Sequence, residues 1–210
     1  MNMARPPTRA LAASAMLATA GAVALSLPPL RVLIEQSMVW HMLVQMPLLV
    51  AAGALWAARL QRRPWLATRA WVDRLAQVNH FGLTGLMAAL VVAAYWMIPA
   101  TVDRAVVLPS ADAAKIVSLG LAGAALRHAV VRAPVAVQLF FIGTALPMAV
   151  WVGVYLASTD LRLCNAYSLS SQIHTGRGLV VLSLLAGAAW LAHLRGQFGA
   201  SDGTATTLRR

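Results

Sequence analysis

The stretch "MVWHMLVQMPLL", residues 38–49, sets three methionines, a histidine and a glutamine within an apolar run. The apolar character continues to about residue 58. A run of roughly 20 such residues is the length at which an α-helix crosses the hydrocarbon layer of a membrane. At 100° per residue, Met38, His41, Met42, Gln45 and Met46 fall within an arc of roughly 140°. Val39, Trp40, Leu43 and Val44 occupy the rest of the circumference. A polar face on a spanning helix turns toward neighbouring helices or a wet cavity, because lipid cannot satisfy it.

The rest of the chain has the same character. Of its 210 residues, 60% are hydrophobic and 11% charged, with mean hydropathy +0.72. Soluble domains carry about 25% charged residues. The composition therefore predicts an all-α, polytopic transmembrane bundle. Six stretches are long enough to count as helices: about 10–27, 38–58, 78–98, 113–131, 134–157 and 173–194. Residues 1–196 then form a single transmembrane domain, and the small, polar stretch 197–210 is expected to be a flexible cytoplasmic tail. The first stretch has a second reading as a secretory signal, with Arg5 and Arg9 ahead of an apolar core and Ala22-Val23-Ala24 after it.

The formal net charge of +11 does not predict nucleic-acid binding, because the basic residues lie between apolar runs rather than in one patch. In that position they orient membrane proteins. With the N-terminus inside, twelve arginines fall on the inner side: Arg5, Arg9, Arg59, Arg62, Arg63, Arg69, Arg74, Arg127, Arg132, Arg195, Arg209 and Arg210. Five basic residues fall outside: Arg31, Arg104, Lys115, Arg162 and Arg177. Acidic residues Glu35, Asp103, Asp112 and Asp160 accompany the outer set. The expected topology is N-in and C-in. Trp40, Tyr95, Trp96, Trp151 and Tyr155 at the outer ends, and Trp56, Trp65 and Trp190 at the inner ends, follow as interfacial belts.

Enzyme chemistry finds little material here. The one cysteine, Cys164, excludes an internal disulfide. No phosphate-binding glycine loop and no zinc-protease pattern occur, and six acidic residues leave little for carboxylate catalysis. The chain reads as a non-enzyme. The donors on the second helix instead suggest a metal. Imidazole nitrogen and thioether sulfur together suit Cu(I). The candidate ligands are His41, Met42, Met46, Met97 and His174, with Cys164 at similar height. Each methionine also reads as ordinary packing. His80, His128 and His193 cluster toward the other side. They read as interfacial histidines; the alternative is axial ligation of haem b by pairs at matched depth, His41 with His174 outside and two of His80, His128 and His193 inside.

Three stretches resemble the CtaG-type family of polytopic membrane proteins. They are "HMLVQMPLLVAAG" at 41–53, "YWMIPATVDRAV" at 95–106 and "SSQIHTGRGLVVL" at 170–182. The resemblance implies assembly of a haem-copper cytochrome c oxidase in a bacterial inner membrane. Copper handling at the outer face would accompany it, with the oxidase or its assembly partners as the bound complex. The chain departs from the family pattern where Gln45 and Met46 replace a second histidine and where Met97 stands in place of another. The family also tends to have more helices. Two other readings stand beside it: a haem b subunit in quinone-linked electron transfer, and a cofactor-free accessory subunit of a membrane complex.

Overall fold

The computed structural model describes residues 8–27, 30, 34, 36–61 and 77–207. Among them every regular element is a helix. We number the helices α1 (Thr8–Ala24), α2 (Met38–Leu60), α3 (Leu83–Trp96), α4 (Pro99–Val107), α5 (Pro109–Val130), α6 (Val135–Ser158) and α7 (Leu169–Thr207). Four of these are long and apolar enough to cross a membrane: α2, α5, α6 and the Leu169–Ala192 part of α7. Counting the bent pair α3–α4 as one span makes five.

Among the described residues the count of six is therefore not reached, and the reasons are local. Helix α1 has 17 residues, a rise of about 26 Å at 1.5 Å per residue, short of the roughly 30 Å hydrocarbon layer. The third expected stretch, 78–98, holds an α-helix of only 14 residues, Leu83–Trp96, and ends before Pro99. Its ring holds the preceding Ile98 extended, at φ −74° and ψ 122°. The chain turns there by 75° into α4. At the C-terminus α7 continues to Thr207, through most of the stretch expected as a tail.

Helix packing fixes the directions. The Trp56 indole donates to Thr19 at 2.7 Å, and Gln45 reaches Leu25 at the far end of α1, so α1 and α2 are antiparallel. Trp96 donates to Ser118 at 2.9 Å while Gly85 abuts Ala125 and Ala129, so α3 and α5 are antiparallel. Gly153 meets Gly176, and Gly187 meets Leu146, so α6 and α7 are antiparallel. Helices α2, α5 and α7 consequently run one way and α1, α3 and α6 the other. Residues 25–27 after α1, the 97–108 segment and the 159–168 loop all lie at one end of the bundle.

Two features shape α2 and its neighbours. Residues His41–Gln45 form a π-turn, in which the Met46 N–H bonds the His41 carbonyl. Pro47 follows at once and has no N–H to continue the α pattern. The missing donor falls where the hydrogen bonding changes register. Lower down, α2 and α5 touch through backbone. A Cβ on Gly53 would lie 1.9 Å from the Gly120 carbonyl oxygen, and one on Gly123 would lie 2.0 Å from the Val50 carbonyl oxygen. Small residues allow this approach in lipid. On α3, Phe81 and Gly82 take positive φ, 59° and 75°, in the short turn that starts the helix. The Gly82 site also lies against the Ala129 carbonyl, so glycine is required there on both grounds.

The main apolar cluster gathers Met38, Met46 and Leu49 of α2, Trp96 of α3, Val102 and Ala105 of α4, and Leu119 of α5. Leu156, Cys164 and Tyr167 join it from α6 and the loop that follows. A smaller cluster of Leu86, Ala129, Ala133 and Phe141 sits toward the other end. The α2–α5 contact yields a contrast between neighbouring glycines. Gly53→Leu should destabilise the bundle by about 1–3 kcal/mol or more through overpacking. Gly120→Ala should be close to neutral, since its Cβ would meet nothing within 4 Å. Thermal unfolding of both variants in detergent, followed by circular dichroism, checks this.

Candidate functional site

The polar face of α2 does turn inward. Met38, His41, Gln45 and Met46 are buried and Met42 is half-buried. What they face at the loop end of the bundle is a cluster of polar side chains from several elements. Lys115 of α5 is fully buried, and its ammonium is the centre of the cluster. It lies 2.7 Å from Asp112 Oδ1, one turn earlier on the same helix. It donates to His41 Nε2 at 3.0 Å and makes a long contact, 3.5 Å, with Gln45 Oε1. On the other side of the imidazole, Tyr167 Oη lies 2.7 Å from Nδ1, with the rings edge to face.

Donor logic orders these bonds. An ammonium has hydrogens to give and no lone pair. His41 Nε2 therefore accepts, the neutral ring carries its hydrogen on Nδ1, and Nδ1–H donates to Tyr167 Oη. The Gln45 amide completes the link to α1: Nε2 donates to the Leu25 carbonyl at 3.2 Å and to Ser26 Oγ at 3.3 Å. Four segments thus meet through four side chains with 0–1% exposure, His41, Gln45, Lys115 and Tyr167, together with the buried Asp112.

A second layer holds Tyr167 in place. Its loop, 159–168, has no regular structure and needs partners for its backbone. The Asp103 carboxylate of α4 accepts the Asn165 and Ala166 N–H groups at 2.8 and 3.2 Å. The Arg162 guanidinium donates to the Tyr167 and Asn165 carbonyls at 2.6 and 2.7 Å. Gln172 at the start of α7 accepts from Leu163 N–H at 2.9 Å and donates to the Leu161 carbonyl at 3.1 Å. Met38 N–H donates to Ser171 Oγ at 2.9 Å and ties α2 to α7. The buried Cys164 donates its S–H to the Pro99 carbonyl at 3.9 Å. Burial, and then the nearby Asp103 carboxylate, push the Cys164 thiol up to about 12.

The expected ligands divide. His41, Met42 and Met46 share the inward face of α2, and Met46 packs in the apolar cluster with Met42 against it. Met97 caps α3 half-buried. His174 is exposed on α7, with Nδ1 2.6 Å from the Ser170 carbonyl of its own helix. On the other side, His80 is exposed and packs edge-on against Phe81, while His128 Nδ1 accepts from Asn79 at 2.9 Å. The His193 side chain lies outside the described residues.

The sequence reading does not place Asp112, Lys115 or Tyr167 in the site. Starting the fourth helix at 113 leaves Asp112 outside it and Lys115 at its very beginning, and both are counted among the outer-side charges. The signal was Pro109, which suits the first turn of a helix and places Lys115 nearly two turns inside it. No sequence signal pointed to Tyr167, because its position depends on contacts of the 159–168 loop. Comparisons with protein-family models, curated proteins and solved structures found no match.

Two measurements probe the cluster. Tyr167→Phe removes the Oη acceptor of His41 and should cost about 1 kcal/mol, read as a lower melting temperature with unchanged helicity. At pH 8 the thiolate fraction of Cys164 should be roughly a thousandfold below that of a cysteine at its ordinary value of 9.0. Iodoacetamide should therefore leave Cys164 unmodified in mild detergent and alkylate it after SDS unfolding, as read by intact mass.

Proposed function

We propose that this chain is a multi-pass, non-enzymatic membrane protein that serves the assembly of a haem-copper oxidase by docking. One observation carries the reading. The three stretches that resemble the CtaG-type family, 41–53, 95–106 and 170–182, are remote in sequence and meet at the same end of the bundle. His41 and Gln45 come from the first and Asp103 from the second. Ser171 and Gln172 come from the third, bonding Met38 and the loop that carries Tyr167. A shaped, rigid end of this kind is what a partner subunit recognises. In this reading that end faces outward from a bacterial inner membrane. The arginine-rich end, with Arg59, Arg127 and Arg132, lies in the cytoplasm.

The expected copper set does not fit this arrangement. His41 is the strongest donor in it, and its Nε2 holds the Lys115 ammonium at 3.0 Å. A second cation cannot take that lone pair while Lys115 stays. His174 is exposed and bonds its own helix. The proposed role therefore includes no copper step. The haem b reading has less support, because its inner candidates are the exposed His80 and the Asn79-bonded His128. The cofactor-free accessory subunit remains close to the proposal and differs only in staying with the complex.

The test is purification in mild detergent with copper and iron measured per chain, a reduced-minus-oxidised spectrum, and oxidase assembly in a strain lacking the gene. The expected outcome is metal well below one per chain, no Soret band, and a loss of assembled oxidase that Tyr167→Phe restores only in part. Stoichiometric copper that disappears in His41→Ala would reinstate the copper reading. A Soret band with stoichiometric iron would select the haem subunit. Normal oxidase levels without the gene would end the assembly proposal.

A further inference from the structure

Arg177 sits where a spanning helix rarely keeps a charge. The Leu169–Ala192 span has 24 residues, a rise of about 36 Å against a hydrocarbon layer of roughly 30 Å. Arg177 lies eight residues past Leu169, about 12 Å along the helix. Even with the whole excess length at the loop end, its Cα is about 6 Å inside the hydrocarbon. Charged residues at such a depth face the bundle interior or a wet cavity, and they pair. Arg177 is instead exposed, and among the described residues no hydrogen bond or ion pair engages its guanidinium.

The surface around it is one continuous helix face. At 100° per residue, Ser170, His174, Arg177, Val181, Leu184 and Ala188 fall within an arc of roughly 80°, and all are exposed. Neighbouring helices flank this face without covering it: Gly176 packs on Gly153 and Ala157 of α6, and Gly178 on Leu43 of α2. His174 lies one turn nearer the loop end than Arg177. Its Nδ1–H donates to the Ser170 carbonyl at 2.6 Å, and its Nε2 has no partner among the described residues. The face is therefore polar toward the loop end and aliphatic below.

We infer that this face of α7 is a lateral docking surface for a spanning helix of another protein, one that carries an Asp or Glu carboxylate at the depth of Arg177. A guanidinium and a carboxylate form paired, charge-assisted hydrogen bonds, and in hydrocarbon neither has water as an alternative partner. A lipid phosphate fits less well. It lies at the membrane surface, beyond His174, whereas a helix brings its carboxylate to the level of Arg177 itself. A second copy of this chain lacks the acid. Among the described side chains, Asp112 is buried beside Lys115, Asp103 holds the backbone of the 159–168 loop, and Asp160 lies in that loop. This face is separate from the loop end to which the assembly role is assigned, so the two stand or fall independently.

The full-length protein in phosphatidylcholine vesicles tests it, with synthetic spanning peptides of leucine and alanine as probes and association followed by energy transfer. A peptide with one Glu eight residues from its end should associate roughly 3–20-fold more tightly than its Gln twin. Arg177→Gln should abolish that difference and Arg177→Lys should keep most of it. Arg177→Glu should transfer the preference to a peptide with Lys at the same position. The variants should melt as the wild type does, because Arg177 has no partner within the chain to lose, and the wild-type comparison of Glu with Gln peptides needs no variant. Equal association of those two peptides with the wild type would overturn the inference, as would a Glu preference that persists in Arg177→Gln. So would a Glu preference that vanishes when phosphatidylglycerol is added, which would assign Arg177 to a lipid phosphate.

Discussion

The bond from the Lys115 ammonium to His41 is the interaction on which the rest of this end of the molecule depends. It joins α5 to α2 in the polar layer, and it decides which nitrogen of His41 is left to donate to Tyr167. Through Tyr167 it reaches the 159–168 loop, and through Gln45 it reaches the end of α1. Buried ion pairs contribute little net stability, because desolvation offsets most of the attraction. Their effect is on uniqueness. Apolar helices in lipid slide past one another at small cost, since lipid and side chain are equally apolar. A donor–acceptor set that closes in one register only removes that freedom.

The polar layer and the glycine contact below it divide the labour. At Gly53, Gly120, Gly123 and Val50 the backbones of α2 and α5 come together without intervening side chains. This brings the helices close. Lys115, His41, Gln45 and Asp112 then set rotation and height. The π-turn at His41–Gln45 belongs to the same arrangement. A π-turn adds a residue to the helical repeat and commonly occurs at functional sites. Here it precedes Pro47 and lets His41 and Gln45 both face α5 while Met38 and Met46 stay in the apolar cluster.

Much of the helical bundle was legible from sequence because apolar length is a strong signal in a membrane protein. The run from Met38 reads correctly as one helix long and apolar enough to cross a membrane, and the projected face of Met38, His41, Gln45 and Met46 is the buried one. Pro99 was legible as an end but not as a bend into a further helix, since the direction after a proline depends on what packs there. Lys115 was misplaced for a different reason. A charge near a helix start looks like one of the outer-side charges when the start is set by hydropathy alone, and Asp112 beside it strengthened that impression. Tyr167 was not legible at all. Its place depends on Asp103, Arg162 and Gln172, which are separated from one another in sequence and act on backbone atoms.

The spacing of Asp112 and Lys115 has a consequence for how the chain enters its membrane. A lone lysine or aspartate in a spanning helix costs about 2.5–3.5 kcal/mol each to insert near the centre. Three residues apart on one helix, these two can neutralise each other before any other helix arrives. The charges near the start of α5 can thus enter as a balanced pair, with Arg127 near the helix's other end. The pair's partners on α2 already precede it in the chain, but Tyr167 emerges only after α6 has been made. The polar cluster is therefore completed in order of synthesis, and its last bond records that the final hairpin, α6 with α7, has reached its place.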